Sequence, residues 1–173
     1  YVASVISELA HKDAIFTVDT GMCCVWAARY IAGTGERKML GSFNHGSMAN
    51  AMPQAIGAAF ACPDKQVIAF CGDGGLSMMM GDLMTIVQYN LPVKIVLFNN
   101  RSLNMVKLEM QVAGIPDIET DMLNPDFVKL AEAYGAKGIR VEREEEIENA
   151  INEAIAYDGP VFVDFIVESF DFA

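Results

Sequence analysis

Two short stretches carry residue types that could do chemistry together. The first is Cys71-Gly72-Asp73-Gly74-Gly75, and the second is Asn99-Asn100. A carboxylate oxygen and an amide oxygen brought to one point suit a hard cation such as Mg²⁺. That ion takes oxygen ligands in octahedral geometry and completes its shell with water and substrate phosphates. The glycines let backbone N–H groups approach phosphate oxygens closely. A helix starting just after them directs its positive end at the same anion. The residue types therefore point to a Mg²⁺-diphosphate site with Asp73 and Asn100 on the metal. Asp-Gly and Asn-Asn are also ordinary turn formers, and a lone Gly-Asp-Gly reads first as a turn. What flanks the two stretches decides between the readings.

Before the first stretch runs Val67-Ile68-Ala69-Phe70-Cys71. It is short, apolar and partly β-branched, without a 3.6-residue period, so it reads as a buried strand. Residues 76–89, rich in Met and Leu, read as a helix, and Pro92 blocks its continuation. Residues 93–98 read as a second buried strand that runs into Asn99. Parallel neighbours present their carboxyl ends on one edge of a sheet, where doubly wound folds bind ligands. Asp73 and Asn100 would then reach one point. Neither Gly-x-x-x-x-Gly-Lys-Ser/Thr nor Gly-x-Gly-x-x-Gly follows the strand, which argues against a nucleotide phosphate loop and a nicotinamide dehydrogenase.

The rest of the chain supplies the scaffold. A helix over 2–10 leads to a strand at 13–19, which ends on Thr20-Gly21. A helix over 22–31 carries Trp26 and Arg29, and a short strand and loop occupy 39–44. The helix over 49–61 has Pro53 in its first turn, where proline is tolerated. Its small residues Ala51, Ala55, Gly57, Ala58 and Ala59 allow close packing, and the expectation is that a partner surface covers them. Residues 103–110 read as a helix over the site and 111–124 as a long loop or lid. Asn124 and Pro125 read as the cap and first residue of a helix ending at Gly135. A strand at 138–141, a helix over 144–157 and a last strand at 161–167 complete the alternation. The pattern predicts a single α/β domain over 1–173, a doubly wound parallel sheet with helices on both faces.

Composition narrows the function further. A net charge of −11 argues against nucleic acid and against anionic membrane surfaces. The acidic run over 142–148 reads as a solvated helix face. The four cysteines form no Cys-x-x-Cys, and with two histidines no zinc spacing is present. They read as reduced thiols of a cytoplasmic protein. No apolar stretch reaches the roughly 18 residues of a membrane span.

Gly72-Asp73-Gly74, then residues 75–98, then Asn99-Asn100 resembles the signature of thiamine-diphosphate enzymes. The resemblance extends to Asp19-Thr20-Gly21 with Trp26-Ala27-Ala28-Arg29-Tyr30, to the run from Gly41 to Pro53, and to Asp158-Gly159-Pro160-Val161. Together these look most like the C-terminal cofactor domain of pyruvate oxidase and ubiquinone-dependent pyruvate dehydrogenase. The resemblance implies a thiamine-diphosphate-binding fold, thiamine diphosphate with Mg²⁺, and oxidative decarboxylation of pyruvate or a related 2-oxo acid. A quinone or oxygen would accept the electrons. It implies Asp73, Asn100 and the Ser102 carbonyl as metal ligands. It sets Gly21, Gly46, Ser47, Met48, Gly72, Gly74 and Gly75 against the cofactor. Met48 matches the bulky apolar residue over which the cofactor bends, and the Gly46 carbonyl the acceptor for its aminopyrimidine amine. Glu109 matches an active-site acid, although a lone exposed Glu reads as surface. His45 reads equally as a proton carrier or a hydrogen-bonded loop residue.

The carboxylate that activates the pyrimidine comes, in the resembled family, from another domain, usually of a neighbouring subunit. No residue here matches it. The expectation is therefore a fragment of a longer chain, without its Pyr and FAD-binding domains and inactive alone. FAD is implied only for the full length, as is a homodimer or homotetramer, cytoplasmic or peripheral at a membrane. Acetolactate synthase shares the signature and the bent cofactor, and it is the alternative. It forms acetolactate from two pyruvates, where the oxidative branch forms acetate. A non-catalytic domain of the same fold is a further alternative. Loss of a Mg²⁺ ligand would mark it, and both Asp73 and Asn100 are present.

Overall fold

A computed structural model describes residues 1–168. The chain runs α1 (Val2–Leu9), β1 (Ile15–Val18), α2 (Met22–Tyr30), β2 (Lys38–Gly41), α3 (Ala51–Ala61), β3 (Val67–Gly72), α4 (Asp73–Met78), α5 (Leu83–Gln88), β4 (Lys94–Asn99), α6 (Asn104–Val112), α7 (Phe127–Tyr134), β5 (Lys137–Val141), α8 (Ile147–Ala156) and β6 (Val161–Ile166). The strands make one six-stranded sheet in the order β2-β1-β3-β4-β6-β5. Every neighbouring pair is parallel, as the alternating pattern predicts.

Strand alternation divides the buried residues between two cores. On β3, Ile68 and Phe70 join the face that carries α1, α2 and α8. Val67, Ala69 and Cys71 join the face that carries α3, α5 and α7. A strand covered on both sides has no polar face, so its sequence is apolar throughout. Ala51, Ala55, Ala58 and Ala59 let α3 lie close against the sheet, while Gly57 faces outward. This corrects the expectation that a partner must cover the small face of this helix. The chain's own core covers it.

Several element boundaries also differ from expectation. The helix expected over 76–89 is broken: α4 ends at Met78, a 3-10 turn spans Met80–Asp82, and α5 follows. Gly81 sits in the break, where its low helix propensity costs least. The break lets Leu83 and Ile86 turn into the core while Met78 and Met84 stay exposed. The helix expected from Asn124 starts later. Asp126 is its cap, with the side chain accepting from the Lys129 N–H, and Gly135 closes it in the left-handed region as expected. Residues 144–146 form a 3-10 turn before α8, and their glutamates face solvent or its margin. Among the described residues no helix is long and apolar enough to cross a membrane.

The connections place one crevice. The chain leaves β1 through α2 on one face and leaves β3 through α4 on the other. Adjacent strands whose helices go to opposite faces open a gap at their carboxyl ends, where doubly wound sheets bind ligands.

Candidate active site

An open cleft lies at that gap. Thr20 and Gly21 line it from the turn after β1, and Met48 from the loop before α3. Gly72, Asp73, Gly74 and Gly75 line it from the end of β3 and the start of α4. Asn100 and Ser102 close it from the segment after β4.

The β1 end fixes the loop that carries Met48. The Thr20 hydroxyl donates to the Ser47 carbonyl at 2.8 Å. Asp19 Oδ1 accepts from the Ala51 N–H at 2.8 Å, and the buried Thr17 hydroxyl donates to the Ala51 carbonyl at 2.8 Å. Gly46 adopts φ +70°, which turns the chain toward Met48. Met48 then approaches Gly74 so closely that a Cβ there would lie 3.2 Å from its Cε. Gly46 and Ser47 are exposed and stand outside the cleft lining, as does the exposed His45.

Asp73 is buried at the first position of α4. Its Oδ1 accepts from the Gly74 N–H at 2.9 Å. Its Oδ2 accepts from the Arg101 N–H at 2.7 Å and from Asn124 Nδ2 at 2.7 Å. Arg101 holds φ +56°, uncommon for a residue with a side chain, and this aims its N–H at the carboxylate. Burial pushes the Asp73 carboxyl above its usual range, and the bonds from Asn124, Arg101 and Gly74 oppose that.

The donor set fits a cation-bound diphosphate. A carboxylate offers about four lone-pair positions, and three of Asp73's are filled. The Asn100 amide oxygen accepts once, from the Ser102 N–H at 3.1 Å, and keeps a second lone pair. Asp73 and Asn100 thus each retain an acceptor position. A Cβ on Gly72 or Gly21 would meet nothing within 4 Å, so the backbone at both positions lies open to an approaching anion. Among the described residues no three His, Cys, Asp or Glu side chains stand together as a metal cluster. A site of one carboxylate, one amide and one carbonyl is of the kind that depends on phosphate oxygens to complete it.

Cys23 lines the cleft, and Cys71 is buried beneath it. Burial pushes both thiols well above their ordinary range, and the nearby Asp19 adds to the effect. Neither is a thiolate nucleophile at neutral pH. Glu109 stands exposed on α6, outside the cleft lining. Trp26 enters the lining with its ring tilted against Phe98 at 4.9 Å between centroids. Asn124 belongs to the site through Asp73, although Asn-Pro-Asp before a helix carries the signal of a cap and nothing more.

Comparison with known proteins agrees with this geometry. The family description "Thiamine pyrophosphate enzyme, C-terminal TPP binding domain" matches residues 19–165. The protein YdaP of Bacillus subtilis, whose name describes it as thiamine pyrophosphate-containing, is 41% identical over 166 residues, covering 96% of this chain and 29% of that protein. Acetolactate synthase of Mycobacterium bovis is 40% identical over 174 residues, covering 96% of this chain and 28% of the enzyme. Acetolactate synthase of Mycobacterium avium is 38% identical over 175 residues, with the same two coverages of 96% and 28%. The chain spans under a third of the length of these curated relatives. With the family matching from the end of β1 through most of β6, the chain belongs to the thiamine pyrophosphate enzymes, as a C-terminal TPP-binding domain.

Proposed function

We propose that this chain supplies the diphosphate- and Mg²⁺-binding half of an active site that acts on pyruvate or a related 2-oxo acid. One observation carries the reading: Asp73, Asn100 and Ser102 meet the open glycine backbone of Gly21 and Gly72 across a single cleft. Asp73, Asn100 and the Ser102 carbonyl would hold the metal. The N–H groups at the start of α4 and after β1 would face the diphosphate. Met48 would support the bent cofactor. Thiamine diphosphate, when bound, supplies the electron sink for decarboxylating a 2-oxo acid. The protein's part is to bind, orient and shield.

The reaction branch we propose is carboligation of the acetolactate synthase type. The names of the relatives support it over the oxidative branch that the sequence suggests first. The remaining catalytic carboxylate would come from another domain, contributed by a second subunit of a homodimer or homotetramer. A quinone or oxygen acceptor belongs to the oxidative branch, and FAD would be held by a domain of the full-length protein outside this chain.

The test is a thermal melt of the full-length protein with and without thiamine diphosphate plus Mg²⁺, beside Asp73→Asn. A ligand that binds only the folded state raises the midpoint, and the rise should need the metal and vanish in Asp73→Asn. Product analysis with pyruvate then separates the branches. Acetolactate without added acceptor supports carboligation, while acetate that needs a quinone or oxygen overturns it.

A further inference from the structure

Asn124 lies outside every motif, yet it touches the proposed metal-binding carboxylate. Its Nδ2 donates to Asp73 Oδ2 at 2.7 Å and to Asn99 Oδ1 at 2.9 Å. Both neighbours are acceptors, so only the amide nitrogen can face them. The other end, Asn124 Oδ1, is buried with no hydrogen-bond partner. A buried amide that leaves its acceptor unpaired is held in place by its donors.

The residue is anchored from two sides. Asn99 Nδ2 donates to the fully buried Asp164 at 3.0 Å, and Arg140 reaches the other oxygen of that carboxylate at 3.1 Å. Arg140 also donates to Asp126 Oδ1 at 2.8 Å. Asp126 caps α7 two residues beyond Asn124, across the fixed φ of Pro125. Backbone bonds from Leu103 N–H to the Thr120 carbonyl and from Met122 N–H to the Arg101 carbonyl, both 2.8 Å, strap the loop before Asn124 onto the segment that carries Ser102.

We propose that Asn124 is a positioning residue that fixes the orientation of the Asp73 carboxylate for its metal, with the Asp164–Arg140–Asp126 chain holding Asn124 in turn. The inference rests on the metal-binding role of Asp73 proposed above. Partners of metal-binding carboxylates that do not touch the metal typically change metal affinity by about 10- to 100-fold when removed.

The experiment is Mn²⁺ binding followed by electron paramagnetic resonance in the full-length protein, with saturating thiamine diphosphate. Wild type, Asn124→Ala, Asn124→Ser and Asp73→Asn are compared, each melted without ligand to show that it is folded. The serine variant keeps a small polar group in the buried slot and stands in if alanine unfolds. The expected result is Mn²⁺ binding at least tenfold weaker in the Asn124 variants at unchanged stoichiometry. A lower ligand-free melting midpoint with Mn²⁺ affinity within twofold of wild type, while Asp73→Asn loses it, overturns the inference alone. Undiminished Mn²⁺ binding in Asp73→Asn overturns the metal reading and the inference with it.

Discussion

Asn99 Nδ2 donates to Asp164 Oδ1 at 3.0 Å, joining the carboxyl end of β4 to the buried middle of β6. The neighbouring Asn100 instead faces the cleft. The two residues of the pair therefore do different things. Asn99→Ala removes bonds to both Asp164 and Asn124 inside the protein. It should cost about 2 to 3 kcal/mol, since each partner is left partly unsatisfied. Asn100→Ala loses one part-buried bond from the N–H of the buried Ser102 and should cost about 1 kcal/mol. Denaturation of the ligand-free protein and the Mg²⁺-dependent gain on adding cofactor separate the two. Asn99→Ala should lower the first, and Asn100→Ala should abolish the second.

Two glycines of the turn should likewise part company. A Cβ on Gly75 would lie 2.5 Å from Asp19 Oδ2 and 3.1 Å from the Ala49 backbone nitrogen. The first ends a buried side chain held through its other oxygen by the Ala51 N–H, and the second is backbone. Gly75→Ala should therefore destabilise the protein by about 1 to 3 kcal/mol or more, as overpacking does. A Cβ on Gly72 would meet no protein atom within 4 Å. Gly72→Ala should melt within about 2 °C of wild type, because the change is small on a domain of this size. It would nonetheless stand where the diphosphate approaches, so its melt should no longer rise with thiamine diphosphate and Mg²⁺.

Asp19 gives the fold a pH dependence. It is buried, its Oδ2 has no partner, and burial raises its pKa from 3.8 to about 6. A carboxyl whose folded pKa is raised binds its proton more tightly in the folded than in the unfolded chain. Its favourable contribution is fully present below about pH 4 and is lost as pH rises through about 6. The loss is at most about 3 kcal/mol, from roughly two pKa units of difference. Asp19→Asn should flatten this part of the profile. The quantity to measure is the stability difference between variant and wild type at pH 7.5 minus that at pH 4.5. It should favour Asn, and an unchanged difference would remove Asp19 as its source.

Much of this was legible in the chain itself, and the exceptions have physical causes. The strands were readable because a parallel sheet covered on both faces demands continuous apolar runs such as residues 67–71. Asp73 and Asn100 were readable because both follow directly on such strands. Asn124 was not, because an Asn before Pro carries the same signal whether it caps a helix or reaches a carboxylate 51 residues away. The break between α4 and α5 was hidden for a related reason. Periodicity in 76–89 continues across Gly81, and only the packing of Leu83 and Ile86 shows which turn the core requires. The destination of α3's small face was ambiguous in the same way, since alanines mark close approach without naming the surface approached.

Met48 offers the sharpest test of how the cofactor is held. Its loop is pinned by Thr20 to Ser47 and by Asp19 to Ala51, so the side chain enters the cleft from a fixed base. If it is the apolar support of the bent cofactor, its bulk matters and its exact shape less so. Met48→Leu conserves volume and should keep kcat of the full-length protein within a few-fold of wild type. Met48→Ala removes the support and should lower kcat at least tenfold, since a displacement of about 1 Å at reacting atoms can cost on the order of a hundredfold. On the proposed reading the metal end of the cofactor would be held by the polar groups of Asp73 and Asn100, whereas Met48 offers only an apolar side chain. Both variants should therefore keep the Mg²⁺-dependent rise in melting midpoint. Loss of that rise in Met48→Ala would place Met48 in the binding of the cofactor as a whole. An equal fall of kcat in both variants would show that the sulfur, rather than the bulk, is what the site uses.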